Sequence, residues 1–327
     1  MVSGAEREAR ALSDEHFREA ALLLHTRGWV VLRDAIPAGV AAAAEAAFDR
    51  IRRDCFASKE GDGWYQVARE TQAVFWERNR RWRIFPKLRP PLSDPWIVAN
   101  PFALALLRFS LGEDLYCKFV SSDTCLRGAE IQAPHRELGA GEQWETRALV
   151  VNVPMGPCGL DNGPLEVWYS GGHLWRNAAL AAVGYGDDVQ DGGNAEAEAL
   201  AAALPSRRIT LDPGDVLVRD PGLLHRGTVN RTGAPRTMLT MAFFRAGEDH
   251  SYGDVRFSLD EPLFAALEPE VQALFAHAFA PSVHASADEQ GAGAGDAPEG
   301  PGEPDQPRRP LVVEAHEARP EPPQDRR

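Results

Sequence analysis

Two histidines, a carboxylate and an arginine stand at spacings that suit metal-centred chemistry. His135-Arg136-Glu137 sets an imidazole and a carboxylate two positions apart, and in extended backbone such positions point to one side. Alone the pair is a weak signal, because a surface histidine beside a solvated Glu is common. His225 lies 88 residues beyond Glu137, and Arg236 follows 11 residues later. Two histidines and one carboxylate make the facial triad of non-haem Fe(II) oxygenases, which leaves coordination positions open for oxygen and a co-substrate. An arginine on the neighbouring strand can form a bidentate pair with the distal end of a dicarboxylate.

These residues need a scaffold, and strand signals supply one from about 114 to 245. The runs are 115–120, 129–133, 148–153, 165–169, 208–211, 216–219 and 237–244. Turn chemistry separates several of them, as in Asp161-Asn162-Gly163-Pro164, Asp212-Pro213-Gly214-Asp215 and Thr232-Gly233-Ala234-Pro235. Many short strands with little helix between them predict a mainly β fold, a closed or sandwiched antiparallel barrel. Residues 14–27 predict a helix capped by Gly28, residues 29–33 a buried strand, and Pro37 opens a second helix to about Arg53. Residues 64–102 are rich in aromatics, with Arg78, Arg80, Arg81, Arg83, Lys87 and Arg89 crowded in the middle. We read this stretch as a helix and loop layer with solvated arginines, against the alternative of a substrate-facing wall that attracts an anionic substrate. An Ala- and Glu-rich excursion, roughly 176–204, ends in a helical segment at 194–204.

With these elements in order, the sequence resembles the phytanoyl-CoA dioxygenase family of Fe(II)/2-oxoglutarate oxygenases over residues 14 to 246. The resemblance is carried by Gly28-Trp29-Val30-Val31-Leu32, Gln132-Ala133-Pro134-His135-Arg136-Glu137, Asp161-Asn162-Gly163-Pro164-Leu165-Glu166-Val167 and Ser170-Gly171-Gly172-His173. It continues in Pro213-Gly214-Asp215-Val216, His225-Arg226-Gly227, Asn230, Pro235 and Arg236. It implies a double-stranded β-helix, a jelly-roll or cupin-like barrel, flanked by N-terminal helices. It further implies that His135, Glu137 and His225 bind Fe(II), that Arg236 holds the C5 carboxylate of 2-oxoglutarate, and that Asn152 and Gln132 lie near the co-substrate. His173 is read as structural. The implied reaction uses O2, releases succinate and CO2, is stimulated by ascorbate, and hydroxylates a small molecule. The family usually has Asp where this chain has Glu137. A carboxylate there argues against halogenation, since halogenating relatives carry Gly or Ala. A catalytically silent ligand- or partner-binding member, and a cupin-like metalloenzyme of another type, are the competing readings.

Composition bounds the rest. The chain has 327 residues and a formal charge of −13. The acidic balance argues against general nucleic-acid binding and against docking on anionic membranes. Residues 285–327 carry 10 acidic and 5 basic residues, 8 Pro and 5 Gly and no aromatic, which predicts a disordered tail and leaves −8 on a single domain at 1–284. Cys55, Cys117, Cys125 and Cys158 form no CxxC pair, and the N-terminus lacks an apolar signal region, so we expect reduced thiols and a cytoplasmic location. High Ala, Arg, Gly and Pro with few Lys suggests a GC-rich source and, by analogy, a natural-product tailoring step. An acyl-CoA or carrier-bound acyl group is the alternative substrate, to which the basic strip at 78–89 lends slight support.

Overall fold

The computed structural model describes residues 1–59, 66–67, 73–138, 145–168, 172–174, 195–248 and 254–279. The expected tail at 285–327 and most of the 176–204 excursion lie outside the described residues. The described residues all fall within the unit Met1–Ala280.

The N-terminal layer begins one helix earlier than the sequence suggests. Ser3 and Glu6 form a reciprocal capping box for α1 (Gly4–Ala9). Ser13 then caps α2 (Asp14–Arg27), which ends at Gly28 in the left-handed region with φ 79°. A Cβ at Gly28 would lie 2.8 Å from Nδ1 of His173, so the cap needs glycine for both its conformation and the close approach. Strand β1 (Trp29–Leu32) follows, then α3 (Ala38–Ala57), four residues longer than expected and preceded by Pro37.

Residues 64–102 differ from the expected helix and loop layer. β2 (Gln66–Val67), β3 (Val74–Arg78) and β4 (Arg81–Phe85) form antiparallel pairs, and α4 (Pro95–Val98) and α5 (Pro101–Leu111) come only afterwards. The β3–β4 turn places Asn79 and Arg80 at φ 53° and 56°, the two-residue hairpin geometry that Asn-Gly usually marks. Arg80 hides that signal.

The remaining strands are β5 (Leu115–Cys125), β6 (Ala148–Pro154), β7 (Leu165–Trp168), β8 (Ser206–Ile209), β9 (Val216–Arg219), β10 (His225–Gly227) and β11 (Arg236–Arg245). Among the described residues they make two sheets, an eight-stranded one in the order β1-β9-β6-β11-β5-β4-β3-β2 and a three-stranded one in the order β10-β7-β8. This is the mainly antiparallel double-stranded β-helix that was expected. The expected strand at 129–133 is absent. That segment is irregular, with Ile131 exposed, because its backbone is spent on single bonds to other elements rather than on a ladder.

Strand alternation sorts the large sheet into two faces. Val151, Val153, Val216, Val218, Leu239 and Met241 point outward into one apolar cluster with Phe48 of α3 and Leu106 and Leu107 of α5. Each such fully buried side chain contributes about 1.5–3 kcal/mol. The opposite face meets the small sheet through Trp29, Leu217, Met238, Val167, Ile209 and Leu223. Further along that inner face stand the polar residues of the site. No helix among the described residues is long and apolar enough to cross a membrane.

Candidate metal centre

His135 is not part of a strand, yet it is held in extended geometry. Its N–H donates to the His225 carbonyl at 2.9 Å and its own carbonyl accepts from the His225 N–H at 2.9 Å, while the Glu137 N–H donates to Pro221 at 3.0 Å. The expected same-side projection of positions 135 and 137 is therefore imposed by the segment that carries the third residue. The pairing brings the two imidazole centroids to 4.4 Å, and one ligand atom from each of His135, Glu137 and His225 lies within 4.8 Å of the others.

The ring orientations suit coordination. Nδ1 of His135 is 2.9 Å from the Ala133 carbonyl, and Nδ1 of His225 is 2.7 Å from the Leu223 carbonyl. A carbonyl accepts only, so each Nδ1 donates to it, and Nε2 is the nitrogen left for a metal, the orientation that metal-bound histidines use. Nε2 of His225 is 3.6 Å from Oε1 of Glu137. Burial, reinforced by His225 close by, pushes His135 down to about 4, so it is neutral at pH 7. Burial acting alone would raise the Glu137 carboxyl. The Arg219 guanidinium, with the His225 ring close by, outweighs it and holds the acid well below its ordinary value. Two imidazole nitrogens and one carboxylate match the donor set of a 2-His-1-carboxylate metal site.

Arg219 is a residue that the sequence reading missed. It is buried at the end of β9, with Nη2 3.3 Å from Oε2 of Glu137 and Nε 3.3 Å from Oδ1 of Asn152. The available signal was alternation: Leu217 faces inward, so Arg219 two positions on must too. Asn152 sits inward on β6, and its Nδ2 donates to Oγ1 of Thr240 at 2.9 Å. Its amide thus orients Arg219.

Arg236 begins β11, buried, and its Nη1 donates to Oδ2 of Asp123 at 2.9 Å. Burial would lower the Arg236 pKa, but Asp123 more than offsets that and raises it. Asp123 was not anticipated either. Gln132 accepts the Gly227 N–H on Oε1 at 2.8 Å, which ties the irregular 129–133 segment to β10 two residues after His225. Asp220, beside Arg136, is pushed up to about 7 by burial, which the Gly222 N–H and Arg136 counter only in part. His173 is not one of the three converging residues; it is buried, with Nε2 3.1 Å from the His25 carbonyl.

The basic strip divides. Arg80 is exposed, whereas Arg81 is buried and Arg83 lies half-buried over the Phe119 ring at 4.8 Å, so these two line the barrel interior. All four cysteines are free and buried.

Solved structures share this architecture at low identity. The epimerase SnoN, in a complex with Fe3+, alpha ketoglutarate and nogalamycin RO, superposes with a TM-score of 0.51 at 16% identity, over 76% of this chain and 95% of that one. AviO1 from Streptomyces viridochromogenes Tue57 gives 0.50 at 14% identity, over 73% and 99%. EctD from S. alaskensis with bound Fe gives 0.50 at 19%, over 77% and 82%. These likenesses concern the fold. The family model for phytanoyl-CoA dioxygenase (PhyH) matches residues 24–238, a span that takes in β1, the 135–137 pair, His225 and Arg236. On that match the chain belongs to the phytanoyl-CoA dioxygenase family.

Proposed function

We propose that this protein is an Fe(II)- and 2-oxoglutarate-dependent oxygenase that hydroxylates a small molecule, with release of succinate and CO2. The observation that carries the reading is the convergence of His135, Glu137 and His225, with Arg236 on the facing sheet. Family membership supports it, and relatives of the same fold bind Fe and alpha ketoglutarate. When bound, Fe(II) would supply oxygen activation coupled to decarboxylation of the 2-oxo acid.

The chain's own residues do the rest. His135 and His225 would present Nε2, each ring fixed through Nδ1 to a carbonyl two residues back. Glu137 would supply the anionic ligand, and Arg219 keeps it ionised and oriented. Arg236 would receive the distal carboxylate of 2-oxoglutarate, and Gln132 and Asn152 support the walls of that pocket. Beyond the polar residues, Phe85, Phe119, Leu138, Val150 and Phe244 form an apolar lining on the same inner face. Such a surface suits a substrate with an apolar body and excludes water from the reacting carbon. That lining, together with the polar pocket at its edge, supports a natural-product-like small molecule.

The test is CO2 release from C1-labelled 2-oxoglutarate with Fe(II) and ascorbate, across a panel of candidate small molecules. Fe-dependent release that a substrate stimulates is the expected result. Absence of release under all conditions, or equal release from Glu137→Ala protein, would refute the reading.

A further inference from the structure

We infer that the seam between the edge strands β1 and β8 docks an extended acidic peptide of a partner protein, which adds a strand to β1. β1 ends the large sheet and β8 ends the small one, so each has one side without a strand partner among the described residues. Between them lies a cleft of about 190 Å³, and none of its lining residues belongs to the candidate metal centre.

The free side of β1 carries unspent backbone groups. The Gly28 carbonyl accepts the Asp220 N–H at 2.8 Å, on the side of β9. Backbone direction alternates along a strand, so Val30 and Leu32 also face β9, while Trp29, Val31 and Arg33 turn their N–H and C=O outward. Arg33 shows that this side accepts a second chain segment, because its carbonyl takes the Val2 N–H at 2.8 Å. The outward groups of Trp29 and Val31 have no such partner among the described residues.

The surroundings select for acid. Arg27 at the end of α2, Arg33 just past β1, and Arg207 and Arg208 of β8 line the cleft around the apolar side chains of Val31 and Ile209. Asp215 holds Arg33, and Arg208 lies 3.9 Å from Glu166. Arg27 and Arg207 have no carboxylate partner among the described residues, and their guanidiniums stand 5.9 and 6.0 Å from the Trp29 ring centre. Charges on an edge strand often serve as a guard against pairing. A guard belongs on the free strand itself, yet β1 reads Trp-Val-Val-Leu, and the arginines come from its flanks. Strand addition draws affinity from backbone bonds and selectivity from side-chain sites. An extended peptide with acids at alternate positions presents them to one side, where two unpaired guanidiniums receive them.

The probe is a labelled peptide of alternating Glu and Val, titrated by fluorescence anisotropy into the full chain. Binding is expected, with affinity about tenfold lower for the Gln-Val peptide and for the Arg27→Gln/Arg207→Gln protein. Amide exchange at Trp29 and Val31 should slow in the complex. Both arginines are exposed, so thermal unfolding of the double variant should match the wild type. No binding to the wild-type protein, equal binding of the Gln-Val peptide, or undiminished binding to the double variant would overturn the inference. So would unchanged exchange at Trp29 and Val31, which marks charge attraction without strand pairing. Inorganic pyrophosphate that binds as tightly as the peptide would make this a small-anion site instead, and self-association lost in the double variant would assign the edge to a second copy. Either result also overturns the inference.

Discussion

The two faces of the large sheet are built from the same strands, yet they are held by different forces. On the outer face Val151, Val218, Leu239 and Met241 pack against helices in a closed apolar layer. On the inner face Asn152, Arg219, Arg236 and Arg81 are just as buried, but Arg81, Arg219 and Arg236 keep donors without acceptors among the described residues. The outer face is complete in the free chain. A ligand supplying acceptors would complete the inner face, whose unpaired groups subtract from stability without one. The same alternation that gives the sheet its core thus gives it a site.

Substitutions on the two faces should separate binding from stability. The largest effect is expected for His225→Ala and Glu137→Ala, which should bring succinate formation to background while thermal unfolding changes little. Equal loss of folding would blur the distinction. Arg236→Leu should weaken 2-oxoglutarate by about 2–4 kcal/mol, as the loss of a charge-assisted bidentate contact does. Titration with the co-substrate measures this, and unchanged affinity would remove the proposed role. On the outer face Leu239→Ala should cost about 2–5 kcal/mol of stability by leaving a cavity, with co-substrate affinity preserved.

A pH dependence sharpens the same contrast. Burial raises the Asp220 carboxyl to about 7 in the folded protein, so the folded state holds a proton there that the unfolded chain has released near pH 4. Folding stability attributable to Asp220 is therefore fully present below about pH 4 and lost as pH rises towards 7, with a slope of at most about 1.4 kcal/mol per pH unit. Denaturant melts of Asp220→Asn should lack this component, and an unchanged slope would count against it. Smallest among these, Gly28→Ala should cost about 1–3 kcal/mol, through its positive φ and the contact with His173, and leave metal affinity intact.

Much of the site could be read from residue types alone. His135, Glu137 and His225 could be grouped by residue type and spacing, although the same-side projection of 135 and 137 comes from pairing with the His225 segment rather than from a strand of their own, and Arg236 stood out by its place just after the Gly233 turn. Arg81 and Asp123 could not be read so. Their partnership joins β4, β5 and β11, and it depended on recognising a hairpin whose turn carries Asn79-Arg80 in place of a glycine. The solvated-strip reading of residues 78–89 fails at Arg81 and Arg83 for the same reason. Arg219 drew no reading from the sequence, because its role depends on the pairing of His135 with His225 that brings Glu137 against it. The Gly28 cap and the 14–27 helix were legible because their determinants lie within one turn. The absent strand at 129–133 was misread because its apolar residues have no ladder partner.

The most direct test of the central claim is an anaerobic titration of the apoprotein, first with Fe(II) and then with 2-oxoglutarate, on the wild-type and Glu137→Ala proteins. One Fe(II) and one 2-oxoglutarate should bind per wild-type chain, the second depending on the first, and the variant should lose both. Binding of 2-oxoglutarate that is equally tight without metal, or unchanged in Glu137→Ala, would contradict the account.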